Sequence, residues 1–231
     1  MTKRVPPCEV LVDQEPRSGT ENMRLDEELL QRVVDDDSTA FVRIYRWNCP
    51  TVTLGYFQQL TEEIDPQISA CPRVKRVTGG GAILHDQELT YSCALPASHP
   101  MRHEPVRLYE EIHSAVIDLL AEQGINASMR QRVNGWQEPE TPKEPFLCFL
   151  RSDARDVVID GRKILGSAQR RRRGSILQHG SILLSASALT PNVVGIQDLR
   201  PEFDAEEFGR QLPAAIGARV SGKFRISTSA E

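Results

Sequence analysis

Apolar residues fall at helical spacing in two stretches of the chain and at strand spacing through much of the remainder. Leu25, Leu29, Leu30, Val33 and Val34 line one face of a helix. Asn22 supplies its N-cap, and the acidic run Asp35–Asp36–Asp37 forms its solvated end. Leu108, Ile112, Ala115, Val116, Leu119 and Leu120 predict a second helix over Val106–Gln123, with Gly124 at the C-terminal cap and His113 on the surface. Between them, Phe41–Trp47 and Thr51–Tyr56 read as strands broken by Asn48–Cys49–Pro50; Arg73–Val77 and Glu88–Leu95 read as further strands. Downstream, Val157–Val158–Ile159 and Arg162–Lys163–Ile164–Leu165 flank Asp160–Gly161, a pair that favours a type I′ hairpin turn. Strand alternation there puts Lys163, Leu165 and Ser167 on one side. Arg170–Arg171–Arg172–Arg173–Gly174 reads as a basic turn before the strand Ile176–Leu184. A last helix over Asp204–Arg219 must kink or end at Pro213.

Strands outnumber long helices and their hairpins are local. The pattern predicts an α+β (α/β-like) fold, a mainly antiparallel but mixed sheet flanked by helices. At 231 residues the chain reads as a single domain, residues 1–231, with a core of about 22–220. Residues 1 to about 20, polar and Pro-containing, read as a loose arm. Asn134–Gly135–Trp136 through Pro139, Pro142 and Pro145 holds too much proline for regular structure, and connections of this kind serve as lids or binding loops.

Composition narrows the function classes. With 39% hydrophobic and 26% charged residues the chain reads as an ordinary soluble protein, and a net charge of -4 leaves no global basic footprint for nucleic acid. No apolar run approaches the ~18 residues that span a bilayer, and Met1–Thr2–Lys3–Arg4–Val5–Pro6–Pro7 lacks the apolar segment of a signal peptide. The expectation is a cytoplasmic protein with no membrane partner. Cys8, Cys49, Cys71, Cys93 and Cys148 form neither a Cys-x-x-Cys pair nor a zinc spacing, so they read as reduced thiols with no metal.

One stretch stands apart. In Arg73–Val74–Lys75–Arg76–Val77–Thr78–Gly79–Gly80–Gly81–Ala82–Ile83–Leu84–His85–Asp86, three glycines separate a cationic strand from a β-branched run. Glycine reaches positive φ and lets another group approach the main chain, so such a turn can point several N–H groups at a carbonyl, carboxylate or phosphate. A plain Gly-rich hairpin loop is the alternative; Arg76, His85 and Asp86 beside the glycines favour a site. The spacing fits neither a P-loop nor Gly-x-Gly-x-x-Gly. A second run of small residues, Gly166–Ser167–Ala168, leaves room for another backbone or a ligand.

Four motifs then stand in order: Asn22–Met23–Arg24–Leu25–Asp26–Glu27; Tyr45–Arg46–Trp47 with Gly55–Tyr56–Phe57–Gln58; Arg76 to Asp86; and Gly161–Arg162–Lys163 through His179–Gly180–Ser181. On these the chain resembles the lipoate-protein ligase and octanoyltransferase family over roughly residues 20–200. The resemblance implies a catalytic domain like that of biotin-protein ligases, related to class II aminoacyl-tRNA synthetases. It implies transfer of an octanoyl or lipoyl group to one lysine of a lipoyl domain, such as the glycine cleavage H protein or dehydrogenase E2 subunits. By the same resemblance Arg76, Gly79, Gly80, Gly81, His85 and Asp86 line the acyl tunnel, and Gly166, Ser167, Ala168, His179 and Gly180 belong to the binding site. Lys163 matches the family's catalytic lysine.

Family members divide by how the acyl group is activated. Ligases use ATP and Mg and pass through an acyl-adenylate; octanoyltransferases take octanoyl from acyl carrier protein through a cysteine thioester, without a cofactor. Cys148–Phe149, just upstream of the lysine hairpin, resembles the cysteine of Gram-positive type octanoyltransferases. The commoner type carries its cysteine after the lysine, and none follows Lys163 here. A thiol of pKa ~8.5 gains thiolate beside an ammonium, which makes the Cys148–Lys163 pairing chemically sensible. By composition alone Cys148, among Phe146, Leu147 and Phe149, reads as a small buried hydrophobe. His179 reads either as a core histidine or as support for the binding residues. Arg170–Arg173 reads as a solvated turn or as a patch that steers an acidic protein substrate. The long ligases' C-terminal accessory domain has no counterpart here, which fits a transferase or the catalytic half of a split ligase. Three readings follow: a cysteine-dependent octanoyltransferase, an ATP-dependent ligase, and a non-catalytic binder of lipoyl domains or acyl carriers.

Overall fold

In a computed structural model, which describes residues 5–59, 66–137 and 145–229, the alternating segments assemble into two sheets. The larger runs β11 (Phe224–Ser229), β1 (Cys8–Asp13), β2 (Ala40–Tyr45), β6 (Glu88–Leu95), β10 (Ser175–Leu183), β9 (Arg162–Arg172), β8 (Val157–Ile159) and β7 (Ser128–Met129), eight strands among the described residues. β1 is parallel to both neighbours, and the other pairs are antiparallel. The smaller sheet has β3 (Thr51–Leu54) between β4 (Arg73–Lys75) and β5 (Ile83–His85). This is the mixed, mainly antiparallel sheet that the pattern predicts.

Helices cover both faces of the large sheet. On one face α2 (Pro105–Glu122) and α4 (Ala205–Val220) bury Leu108, Ile112, Leu120, Phe208, Leu212 and Ile216 against Val42, Tyr91, Cys93 and Leu165. On the other, α1 (Gly19–Asp35) packs Leu29, Leu30 and Val33 on Phe41, Ala94 and Leu177. The alternate residues of β2, β6 and β10 thus serve two cores, as strand periodicity requires. A short helix, α3 (Ile196–Leu199), follows β10. No helix among the described residues is long and apolar enough to cross a membrane.

Several sequence expectations need correction. The N-terminal segment is not a loose arm: Cys8 and Val10 are buried, and β1 bonds to a strand on each side. The first helix is capped by Ser18, whose Oγ accepts from the Glu21 N–H, and not by Asn22. Asn22 lies inside the helix because its amide is taken up by tertiary partners, the carbonyl of Arg46 and the guanidinium of Arg43. Pro213 does not end the last helix, which runs on to Val220; four apolar residues buried at helical spacing, Phe208, Leu212, Ile216 and Val220, hold it across the missing N–H. Arg170–Arg172 extend β9, so only Arg173 (φ 49°) and Gly174 (φ 89°) make the turn. Asp160 and Gly161 both have positive φ, 48° and 75°, as a type I′ turn demands. Of the Pro-rich connection, Pro139 and Pro142 lie outside the described residues.

The place of β1 has a measurable consequence. Val10 is buried against α4, where a Cβ on Gly217 would come within 2.9 Å of its Cγ2. Val10→Asp is expected to cost at least about 3 kcal/mol in urea unfolding, because an unpaired carboxylate would enter the core; a loose arm would leave the midpoint unchanged.

Candidate active site

The site begins with an irregularity in pairing. Val157 stands opposite Leu165 and Val158 opposite Lys163, so Ile164 is an extra residue in β9. Such a bulge resets the side-chain alternation beyond it. Lys163 therefore shares a face with Gly166, where a Cβ would lie 2.6 Å from Lys163 Cε. Leu165 packs in the core, and Ser167 Oγ meets His113 Nε2 at 2.5 Å and Tyr91 OH at 2.6 Å on the α2 side. The expected grouping of Lys163 with Leu165 and Ser167 is corrected accordingly. His113 is not a surface residue: it is 1% exposed, held by Ser167 and by the Arg155 carbonyl at 2.6 Å.

Lys163 extends over Gly166 into a buried pair. Its Nζ lies 2.9 Å from Asp156 Oδ1, donates to the Cys148 carbonyl at 3.2 Å, and stands 5.2 Å from the Phe149 ring centre. Burial pushes the Asp156 carboxyl up while the Lys163 ammonium pulls it down; the net direction is up. Asp156 is held in turn by the Asp153 N–H at 2.8 Å, with Arg130 at 3.8 Å.

Opposite stands the glycine loop. Gly80, at φ 92°, takes a conformation that suits glycine, and its carbonyl packs so closely that a Cβ on Gly55 would lie 2.0 Å away. Arg76 lies buried beneath. Its Nη1 donates to Thr53 O and Oγ1, both at 3.1 Å, and its Nη2 to Gly79 O at 2.8 Å and Gly81 O at 2.6 Å. Burial lowers the Arg76 pKa to about 10. The Cys148 N–H donates to Ala82 O at 2.7 Å, joining the cysteine turn to the glycine loop. A Cβ built on Gly80 would lie 3.1 Å from Arg76 Nη2 and 4.0 Å from Cys148 Sγ, so guanidinium, glycine and thiol meet at one point.

Between loop and sheet lies a cleft of about 460 Å³ of empty space, its open mouth included. Arg76, Gly80, Ile83 and His85 line one side, Cys148 and Phe149 another, and Gly166–Ala168, His179–Ser181, Tyr45, Thr90 and Met23 the rest. Of the sequence-predicted residues, Lys163, Gly79, Gly81 and Asp86 do not line it; Lys163 lines a neighbouring cleft that shares Phe149. Gly79 and Gly81 offer their carbonyls to Arg76, and Asp86 Oδ1 accepts from Gln87 at 3.1 Å. Cys148 is half-buried, more open than a core cysteine.

Two buried polar networks hold the walls. His85 stacks on Trp47, ring centres 3.9 Å apart, and bonds Thr53 Oγ1 and Glu88 Oε1, each at 2.8 Å. His179 Nε2 meets Thr78 Oγ1 at 2.6 Å, and its Nδ1 faces Asp26 Oδ2 at 3.4 Å. Burial holds the His179 pKa below the usual range, against the pull of Asp26. Burial also opposes ionisation of Asp26, yet His179 and Arg43 keep its carboxyl low. Asp156, Glu88 and Arg43 escaped the sequence reading because isolated charges in strands or loops carry no periodic signal; Asp26, inside α1 and the first family motif, gave no sign of its burial against His179 and Arg43. Asp156 just ahead of the β-branched hairpin was the one local hint. Among the described residues no three His, Cys, Asp or Glu side chains cluster as a metal site.

Comparison with known proteins decides the family. The model of the lipoyl protein ligase A/B catalytic domain matches residues 18–215. The chain belongs to this family. Within it, curated relatives include the octanoyltransferase LipM of Macrococcus caseolyticus, 41% identical over 170 residues, which are 71% of this chain and 61% of that protein. The LipM of Staphylococcus aureus is 38% identical over 174 residues, 70% of this chain and 60% of that protein. The matched region thus spans about 60% of the length of these relatives. The Thermoplasma acidophilum protein Ta0514 with bound lipoic acid superposes with a TM-score of 0.72 at 21% identity, covering 98% of this chain and 90% of that one. Lipoate-protein ligase A bound with ATP gives 0.69 at 21%, with the same coverage. The lipoyl ligase A/B fold is therefore the fold of this chain.

This catalytic domain carries a titration with a defined sign. Burial lowers the His113 pKa to about 4, against 6.5 when exposed. Between those values the unfolded chain binds the proton and the folded chain does not, so stability falls as pH drops from about 6.5 to 4. His113→Gln is expected to flatten that slope by up to one proton, about 3 kcal/mol across the window, in urea titrations at stepped pH. An unchanged slope would place the titration elsewhere.

Proposed function

We propose that the protein is a cysteine-dependent octanoyltransferase, taking octanoyl from acyl carrier protein onto Cys148 and passing it to one lysine of an apo lipoyl domain. The glycine cleavage H protein and dehydrogenase E2 subunits are the proposed acceptors. One observation above all supports this: a half-buried thiol lines the cleft beside the glycine loop, and a buried lysine with a carboxylate partner donates to that cysteine's carbonyl from the adjoining cleft. The names of the curated LipM relatives support it independently.

The chemistry follows in two balanced steps. Cys148 sulfur attacks the carrier thioester, a new S–C bond replaces the old one, and the thiol proton leaves on the carrier's sulfur. The acceptor lysine amine then attacks the acyl-enzyme; a C–N bond forms, the S–C bond breaks, and a proton from the amine returns to Cys148. This is ping-pong catalysis with no cofactor. Each step builds negative charge on the acyl oxygen. Lys163 Nζ spends donors on Asp156 and the Cys148 carbonyl and keeps a third for that oxygen. Arg76 braces the glycine loop from below, with a positive charge near any thiolate on Cys148. ATP and Mg would enter only in a ligase, which needs no nucleophile.

The test is the intact mass of an apo lipoyl domain after incubation with the protein and octanoyl carrier protein, without ATP. A gain of one octanoyl group is expected, abolished in Cys148→Ala and slowed at least about 100-fold in Lys163→Met. Modification only with ATP and free lipoate would establish a ligase, and binding without any mass change would establish a non-catalytic binder.

A further inference from the structure

Beyond Phe149 and Lys163 a second cleft opens on the outer side of the β8–β9 hairpin, with about 700 Å³ of empty space including its mouth. Arg130, Arg151, Arg162 and Lys163 line it, together with Gly161 and Asn192. Four cations thus meet in one groove next to the reaction cleft. Asp156 answers part of that charge from below, as partner of Lys163 at 2.9 Å with Arg130 at 3.8 Å. Among the described residues Arg162 and Arg130 otherwise bond neutral carbonyls, Arg162 Nη2 to Asn192 O at 3.0 Å and Arg130 Nη1 to Gly161 O at 3.3 Å; Arg151 Nε donates to Pro145 O at 2.7 Å. Among the described residues the Asn192 carbonyl is the one side-chain partner of Arg162, and Arg130 Nε is buried without a hydrogen bond. Guanidinium groups held by carbonyls keep their charge and their forked N–H pairs for a ligand, and such forks match the oxygens of a phosphate ester.

We infer that this groove is a phosphate-ester subsite, and that its ligand is the phosphodiester of the acyl donor's prosthetic arm. The inference rests on the proposed transfer reaction for its choice of donor. A carrier-bound acyl group hangs on a pantetheine arm with its thioester at one end and its phosphate at the other. With the acyl chain in the reaction cleft and the thioester at Cys148, the arm leaves past Phe149, a wall common to both clefts. The arginines then stand along its exit, and Arg162, on the exposed side of the hairpin turn, binds the phosphate without taking part in the bond changes at Cys148. The same oxygens could come from a nucleotide, so the test separates the two sources.

The experiment compares octanoyl carrier protein and octanoyl-pantetheine, which lacks the phosphate, as donors to the wild type and to Arg162→Gln. The ratio of kcat/KM for the phosphate-bearing donor to that for the phosphate-free donor is expected to fall about tenfold in the variant, with most of the change in KM, and to recover partly in Arg162→Lys. Equal loss with both donors, or none, would overturn the subsite. An effect confined to ATP-dependent loading would overturn the donor arm in favour of a nucleotide. A binding measurement keeps the inference separate from the transfer reaction: calorimetry with free phosphopantetheine and with pantetheine. Tighter binding of the phosphorylated compound, lost in Arg162→Gln, upholds the subsite even if no acyl transfer occurs; equal binding of the two overturns it.

Discussion

The candidate site depends on a guanidinium that has been taken out of water. Arg76 lies beneath the glycine loop and gives its donors to main-chain and hydroxyl oxygens of Thr53, Gly79 and Gly81. Each carbonyl drawn inward fixes a peptide plane, so the loop's shape is dictated from underneath. Desolvation of the guanidinium is the cost, visible in its lowered pKa. Gly55 completes the constraint, since only a residue without Cβ admits the Gly80 carbonyl. From this loop the rest of the site is hung: Ala82 pairs with the cysteine turn, Thr78 receives His179, and β5 carries His85 onto Trp47.

On the opposite wall the controlling feature is the bulge at Ile164. It turns Lys163 onto the face of Gly166, which lines the cleft and leaves room for the lysine's stem. Asp156, one residue before β8, meets the ammonium end. A lysine so placed is buried and oriented without help from solvent, which supports the oxyanion contact proposed for it. The sheet also separates two kinds of polar network. On the α2 side, Ser167 joins Tyr91 and His113 through the gap at Gly180, where a Cβ would lie 2.6 Å from both Ser167 Oγ and the Tyr91 ring. On the α1 side, Arg43 binds Asp13, Asn22 and Asp26, locking helix to sheet behind the cleft.

Much of the fold was legible in the order of residues because it depends on local rules. The stripe in α2, the strand β6, the Asp160–Gly161 turn and the cap at Gly124 (φ 74°) follow from periodicity and from which residues accept positive φ. The family was legible too, since its motifs are short runs with fixed spacing. Less legible were positions whose environment is set by distant chain. His113 occupies a polar-looking place in its helix, yet Arg155 and Ser167 bury it. Pro213 breaks a local rule that packing on β1 and β2 outweighs. β1 lies in a polar, proline-containing segment and exists because β2 and β11 supply partners.

The sequence by itself thus determined the strands and helices, the glycine loop, and the residue types gathered for chemistry: one cysteine ahead of one lysine, with Arg76 before three glycines. These are properties of neighbours along the chain, governed by backbone sterics and side-chain period. Tertiary structure alone decided which face Lys163 takes, that Asp156 is its partner, and that Lys163, Gly79, Gly81 and Asp86 stand outside the cleft while Gly80 and His85 line it. Those outcomes turn on register between strands and on charges brought together across the fold. A shift of one residue in pairing reverses every side chain beyond it, and nothing in the local pattern records that shift.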